Sequence, residues 1–67
     1  MNLEYITSLS HIKVGDCLYI EKVGVYVTVT RVYSFAIEVR CELGLVSSGP
    51  YNLKKLSELG AMAERVG

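Results

Sequence analysis

The sequence lacks an excess of charge of either sign. Seven Lys and Arg residues balance seven Asp and Glu residues, which gives a formal net charge of zero. Proteins that bind nucleic acid without regard to its sequence gain most of their affinity from positive charge. The longest basic run here is Lys54-Lys55. The composition therefore disfavours a nucleic-acid partner, while a local basic patch stays open as an alternative.

Residues of the kinds that catalysis or metal binding needs are also scarce. The one histidine, His11, lies near a Gly-Asp turn in which Asp16 is more simply a turn residue than a catalytic partner. Ser47-Ser48 lacks the flanks of a nucleophile elbow. Cys17 and Cys41 lack the Cys-x-x-Cys spacing of structural zinc. We predict no enzyme activity, no cofactor and no metal site, and we expect two free thiols.

Signals for export or membrane insertion are missing as well. The first ten residues, MNLEYITSLS, have neither a basic start nor an apolar core of signal-peptide length. No apolar run approaches the ~20 residues that a membrane-spanning helix requires. The two cysteines do not make a disulfide framework. We expect a reduced, cytoplasmic protein without membrane association.

Apolar residues, in contrast, are abundant for so short a chain. The 67 residues are 51% apolar, yet a chain of about this size buries only about 60% of its unfolded surface. We expect one domain over 1–67, with part of the apolar excess on its surface. Contiguous exposed apolar surface marks interfaces. The composition thus predicts a protein partner, a homo-oligomer, or both.

Two segments alternate with a period of two, as half-buried strands do. In residues 25–33, Val25, Val27 and Val29 share one face, and residues 36–42 repeat the pattern. A three-residue loop over 33–35 would oppose Val29 to Val39, Val27 to Cys41, Thr28 to Arg40 and Thr30 to Glu38. Directly opposed residues share a side of the sheet, so this register joins apolar faces. We predict a hairpin.

A third strand is predicted over 17–22, where Leu18 and Ile20 share a face. A tight turn at Val23-Gly24 would oppose Ile20 to Val27 and Leu18 to Val29, with Gly24 supplying a positive φ. The result is a β meander over about 12–48, in which residues 45–48 are a candidate fourth strand. Residues 1–10 fit either a strand or a turn of helix.

A C-terminal helix over about 52–65 is predicted from the leucine spacing. Leu53, Leu56 and Leu59 form one stripe, which Ala63 continues, and Asn52 can cap the first turn. Gly60 weakens a helix by about 1 kcal/mol, so the helix could end there. The stripe either packs on the sheet, which is the simpler interpretation, or forms a dimer seam.

The segment IKVGDCLYIEKVGVYVTVTRVYSFAIEV, residues 12–39, resembles the entry of small SH3-like barrels, including the KOW-type domains of transcription and translation factors. Gly15, Asp16 and Tyr19, with the later Val27-Thr28-Val29, are also similar to a pattern in very small bacteriophage and prophage proteins. The resemblance implies a small SH3-like barrel or a strongly bent antiparallel meander with a C-terminal helix. It also implies binding to proteins, peptides or nucleic acids rather than catalysis.

The aromatic residues and one arginine are the candidate binding residues. Tyrosine and arginine are enriched where binding energy concentrates in interfaces. The candidates are Arg31, Tyr33, Phe35, Tyr19 and Tyr26. The leading hypothesis is a non-enzymatic protein-binding module, such as a phage or mobile-element modulator of a host protein. The alternatives are a KOW-like barrel associated with nucleic acid, ribosome or polymerase, and a self-assembling structural subunit.

Overall fold

The fold is a single five-stranded antiparallel sheet with one short helix. The structure is a computed structural model that describes residues 2–65. Its elements are β1 (Asn2–Tyr5), β2 (Cys17–Ile20), β3 (Val25–Val32), β4 (Ile37–Arg40), α1 (Leu53–Glu58) and β5 (Ala61–Arg65). The strand order is β1-β5-β2-β3-β4. The predicted mainly β class is confirmed, and the sheet is bent without closing into a barrel.

The predicted meander is present as β2-β3-β4, with β3 at its centre. In β3, Val25, Val27 and Val29 are buried while Tyr26, Thr28 and Thr30 are exposed. The alternation therefore assigned the two faces correctly. The sheet extends beyond the predicted meander, because β1 and β5 add two strands beside β2.

The hairpin between β3 and β4 matches the predicted register only in part. Val29 opposes Val39, and Thr28 opposes Arg40, as predicted. A β-bulge between Val29 and Arg31 then places Arg31, not Thr30, opposite Glu38. An extra residue in one strand shifts all later pairs, and here it sets opposite charges across the strands. The predicted pairing to Cys41 is also wrong, because β4 ends one residue earlier.

The predicted register of β2 against β3 is wrong by two residues. Leu18 opposes Val27, and Ile20 opposes Val25. The turn takes four residues, 21–24, because the amides of Glu21 and Lys22 donate to the carbonyls of Gly60 and Leu59 at 3.2 and 3.1 Å. A shift of two residues preserves the faces of a strand, so the core assignment survives the error.

The predicted helix over 52–65 is wrong in its second half. Asn52 caps α1 as predicted, its Oδ1 accepting from Lys55 N at 2.8 Å. The helix ends before Gly60, whose φ of +66° no right-handed helix contains. Residues 61–65 then form β5, which pairs with both β1 and β2. Pairing on both sides satisfies the backbone of these residues and overrides their helix propensity.

The structure also defines the two segments for which the sequence leaves alternatives open. Residues 2–5 are a strand, β1. Residues 45–48 form no strand, although Ser48 O accepts from Val39 N at 2.9 Å, and Tyr51 exchanges two 2.9 Å hydrogen bonds with Ile37. The segment from 48 to 51 therefore covers the outer edge of β4.

The core lies between the inner face of the sheet and α1. The buried side chains in the described residues are all apolar: Ile6, Ile12, Leu18, Ile20, Val25, Val27, Val29, Ile37, Val39, Leu56 and Ala61. Leu56 is 1% exposed, while Leu53 and Leu59 pack against the core from its margin. The leucine stripe thus packs on the sheet and is not a free dimer seam. Within residues 2–65, no helix is long and apolar enough to cross a membrane.

Candidate functional site

The five predicted binding residues lie on two separate surfaces. Tyr19 and Tyr26 are at one end of β2 and β3, on the outer face of the sheet. Arg31 lies five residues further along β3, about 17 Å away at the usual rise of a strand. Tyr33 and Phe35 follow in the loop to β4. The candidates therefore do not converge on one site.

The first surface, here called the hairpin surface, consists of Arg31, Tyr33 and Phe35. Four residues, 33–36, separate β3 from β4, and a 2.8 Å hydrogen bond from Tyr33 N to Ala36 O continues the pairing past the strands. The turn itself is therefore Ser34-Phe35, one residue shorter than the predicted loop. Phe35 is 84% exposed and Tyr33 is 46% exposed. Arg31 Nε lies 3.9 Å from Glu38 Oε1 across the bulge. The hairpin surface thus combines an exposed phenyl ring, a phenol and a guanidinium that is held beside a carboxylate.

A shallow groove of about 560 Å³ adjoins the hairpin surface. Its walls are the loop after β3 on one side and the chain between β1 and β2 on the other. Apolar side chains and hydroxyl groups line it together: Leu9, Ile12, Val32, Phe35 and Leu53 with Thr7, Ser8, Ser10 and Ser34. A lining of apolar side chains and hydroxyl groups, without a charged side chain, suits a short segment of another protein better than a highly charged ligand.

The second surface is a row of four side chains across the outer face, here called the tyrosine row. Tyr19 and Tyr26 oppose each other, with ring centroids 5.0 Å apart and planes tilted by 54°. Met62 of β5 opposes Tyr19 on the other side, and Tyr5 of β1 opposes Met62. Opposed residues share a face, so the row crosses four strands and spans about 14 Å.

Sequence reasoning found only half of the tyrosine row. The predicted helix over about 52–65 includes Met62, and residues 1–10, which include Tyr5, fit either a strand or a turn of helix. The sequence therefore does not bring these two residues beside Tyr19. The alternation of Ala61 and Ala63 with Met62 and Glu64 was the available signal. Tyr26 is 59% exposed on the outer face, whereas Tyr51 packs against the core.

Tyr5 is fixed at one end of the row by a carboxylate. Its hydroxyl donates to Glu21 Oε1 at 2.8 Å, which links β1 to the turn after β2. This hydrogen bond, the negative charge of Glu21 and a smaller desolvation effect all raise the pKa of Tyr5 above its ordinary value. The phenol is therefore a proton donor already engaged within the chain.

A second groove, of about 700 Å³, contains residues of the types that catalysis or metal binding needs. It includes His11, Asp16 and Cys17. Asp16 Oδ2 accepts from Lys13 N at 2.9 Å, which is the turn role predicted for this residue. His11 is exposed in a turn. No group of three or more His, Cys, Asp or Glu residues within 2–65 is placed to hold a metal ion.

Both cysteines are free thiols, and Cys41 has a distinctive environment. Burial by itself raises the pKa of the Cys41 thiol, but hydrogen bonds from the backbone N–H groups of Leu45, Val46, Leu43 and Gly44 outweigh it and lower the pKa overall. Backbone N–H groups near a thiol favour its anionic form, so the loop that follows β4 lowers the pKa of Cys41.

Comparison with known proteins returned nothing to set beside this geometry. No protein-family model, curated protein or solved structure matches the chain.

Proposed function

We propose that this chain is a non-enzymatic protein-binding module of the SH3-like kind, which uses the hairpin surface to contact another protein in the cytoplasm. The observation that carries this proposal is Phe35, which is 84% exposed at the tip of a short hairpin. A large apolar side chain in that position gains more from burial in a partner than from its own fold. Tyr33 and the adjoining groove extend the apolar area around it.

The charges near the hairpin surface favour a protein over a nucleic acid. Arg31 lies beside Glu38, and Arg40 Nε lies 3.5 Å from Glu42 Oε1. Both arginines of the β3–β4 hairpin are accompanied by a carboxylate, which weakens the local positive field that attracts phosphates. A KOW-like barrel that binds nucleic acid is therefore the less favoured alternative.

Self-assembly is the second candidate function, and the exposed apolar side chains favour it. Leu3, Tyr5, Val14, Val23, Tyr26, Val32, Tyr33, Phe35, Leu43 and Leu45 are all exposed. Tyr5 and Tyr26 belong to the tyrosine row, which offers a second copy a face about 14 Å wide. The further suggestion, a phage or mobile-element modulator of a host protein, rests on chain length and on the sequence resemblance.

The experiment that tests the proposal compares surface variants in binding. The tagged chain captures proteins from a bacterial lysate, and the affinity of each captured protein is then measured for the wild type and for Arg31→Ala/Phe35→Ala. Loss of one central aromatic anchor costs about 2 kcal/mol or more, so we expect binding to weaken at least ~30-fold. Leu43→Ala is the matched control, because Leu43 is also apolar and is 73% exposed but lies beyond the opposite end of β4.

Equal affinities of wild type and double variant would exclude the hairpin surface. Two further measurements separate the alternatives. Binding to single-stranded oligonucleotides that weakens steeply between two salt concentrations would favour the nucleic-acid alternative. A mass that rises with concentration in light scattering, and that returns to the monomer value in Tyr26→Ser, would favour self-assembly.

A further inference from the structure

The two edges of the sheet differ in how their backbone groups are satisfied. On β4, the edge groups of Ile37 and Val39 bond to Tyr51 and Ser48. On β1, pairing within the described residues is with β5 alone. Within residues 2–65, the chain therefore covers one edge of its sheet with its own loop and places no strand beside the other edge.

The alternation of hydrogen-bonded and non-bonded residue pairs shows which backbone N–H and C=O groups of β1 point away from the sheet. Ile6 N donates to Ala61 O at 3.1 Å, in the same register as the pair Glu4 and Ala63. Antiparallel pairs alternate between bonded and non-bonded positions. The backbone of Glu4 therefore bonds to β5, while Leu3 and Tyr5 direct their N–H and C=O groups away from the sheet.

The hydrogen bonds between β5 and β2 lead independently to the same assignment of bonded and non-bonded pairs. Glu21 N donates to Gly60 O at 3.2 Å, which makes Tyr19 and Met62 the bonded pair in their register. Met62 thus bonds to β2, and Ala61 and Ala63 bond to β1, as the first assignment requires. The N–H and C=O groups of Leu3 and Tyr5 can therefore form hydrogen bonds with a further strand.

A second copy of this chain is a poor match for that edge in the register that would use the outward backbone groups of both Leu3 and Tyr5. Antiparallel pairing of two β1 strands with Leu3 opposite Tyr5 would place Glu4 directly opposite the same glutamate of the second copy. Glu4 would occupy a non-bonded position, where side chains approach most closely. Like charges at opposed positions are destabilising, and charged side chains on edge strands discourage self-pairing.

We propose that the outer edge of β1 binds an extended segment of another protein as an added antiparallel strand, with a lysine or arginine opposite Glu4 and apolar residues opposite Leu3 and Tyr5. The apolar residues would lie on the outer face, where they lengthen the tyrosine row by one strand. The basic residue would lie beside a groove whose lining includes three carboxylates, those of Glu4, Glu64 and Asp16, against one lysine, Lys13, and His11. Backbone bonds give such complexes their affinity, and side-chain pockets give their specificity.

This edge lies apart from the hairpin surface, so either proposal can fail alone. The probe is a blocked pentapeptide with a central lysine flanked by valines, titrated to millimolar concentration against the isotopically labelled chain. We expect the amide signals of Leu3 and Tyr5 to shift and their hydrogen exchange to slow. A peptide with glutamate in place of the lysine should bind about fivefold or more weakly, because it sets like charges together.

Two variants make the outcome decisive. Glu4→Lys should reverse the preference and bind the glutamate peptide more tightly. Leu3→Pro removes an outward N–H that the sheet itself does not use, so it should stay folded and bind at least about tenfold more weakly. Unchanged Leu3 and Tyr5 amides, or equal affinity for both peptides in the wild type and in Glu4→Lys, would overturn the proposal. Protection of the same two amides by dilution-sensitive dimerisation would assign the edge to a second copy instead.

Discussion

The substitution Gly60→Ala distinguishes the strand over 61–65 from the helix that the leucine spacing favours there. Gly60 has a φ of +66°, in the left-handed region that costs other residues about 1–2 kcal/mol. A Cβ at this position would lie 3.0 Å from the Cβ of Glu21, so the turn after β2 must also shift. We expect Gly60→Ala to lower the free energy of unfolding by at least about 1–2 kcal/mol.

A continuous helix would give the opposite sign. In the interior of a helix, alanine is more stable than glycine by about 1 kcal/mol. The two structures thus differ by roughly 2–3 kcal/mol in the expected effect, against a total stability of about 3–10 kcal/mol for a chain of this length. The two structures therefore predict opposite signs for the change in the free energy of unfolding.

Urea unfolding and thermal unfolding, both followed by circular dichroism, measure this effect. A loss of about 1 kcal/mol lowers the Tm of a domain of this size by about 4–8 °C. Gly44→Ala is the matched control, because Gly44 has a φ of +69° and an added Cβ there meets no atom within 4 Å. It carries the conformational cost without the contact, so it should destabilise less than Gly60→Ala. A stabilised Gly60→Ala protein would refute the structure of the C-terminal segment.

Three further outcomes follow from single side chains. Leu56→Ala should lower the free energy of unfolding by about 2–5 kcal/mol, the range for buried leucines, in the same urea assay; a loss below about 1 kcal/mol would contradict its place in the core. The stability contributed by the hydrogen bond from Tyr5 to Glu21 should be fully present below the ordinary tyrosine pKa and lost as pH rises through the higher pKa of Tyr5 in the folded protein. Glu21→Gln should lower the titration midpoint of Tyr5 measured by NMR. An unchanged midpoint would count against this hydrogen bond. In a Cys17→Ser background, the rate of alkylation of Cys41 by iodoacetamide should have its pH midpoint below the ordinary cysteine pKa. The contribution of the Cys41 thiolate to folding stability should be lost as pH falls through that midpoint. A midpoint that does not rise on unfolding in urea would contradict the effect of the backbone N–H groups.

Local alternation predicted the β strands whose two faces differ in polarity. In β3, the alternation of Val25, Val27 and Val29 with polar neighbours specifies both the strand and its buried face. Only one register of the following hairpin joins apolar to apolar around Val39, so that register could be found as well. The bulge before Arg31 could not, because a bulge inserts one residue without changing the local composition.

The C-terminal segment shows where local reasoning fails. Leu53, Leu56 and Leu59 have true helical spacing, and the helix they predict exists as α1. What ends it is Gly60, and what makes the next residues a strand is pairing with β1 and β2, which are distant in sequence. Tertiary pairing of this kind leaves only a weak trace in local propensity.

The part of the candidate site that depends on the local hairpin could be predicted, whereas the part that depends on the pairing of β5 could not. Exposure of Tyr33 and Phe35 follows from their place in a loop, which the hairpin register specifies. The tyrosine row depends on β5 lying between β1 and β2, so the prediction could include Tyr19 and Tyr26 but not Met62. The uncovered edge of β1 has the same origin, since it exists only because β5 occupies the other side of that strand.

The position of β5 is the claim on which the tyrosine row and the binding edge both depend, and nuclear Overhauser effects measure it directly. Non-bonded antiparallel pairs bring their Cα atoms to about 4.5 Å, so their Hα protons are in close contact. The structure predicts Hα–Hα effects between Tyr5 and Met62 and between Leu18 and Ala63, with none of the i to i+3 effects of a helix over 61–65. Helical i to i+3 effects across residues 61–65, with no contact from Met62 to Tyr5, would contradict the fold. Neither the tyrosine row nor the binding edge of β1 would then exist.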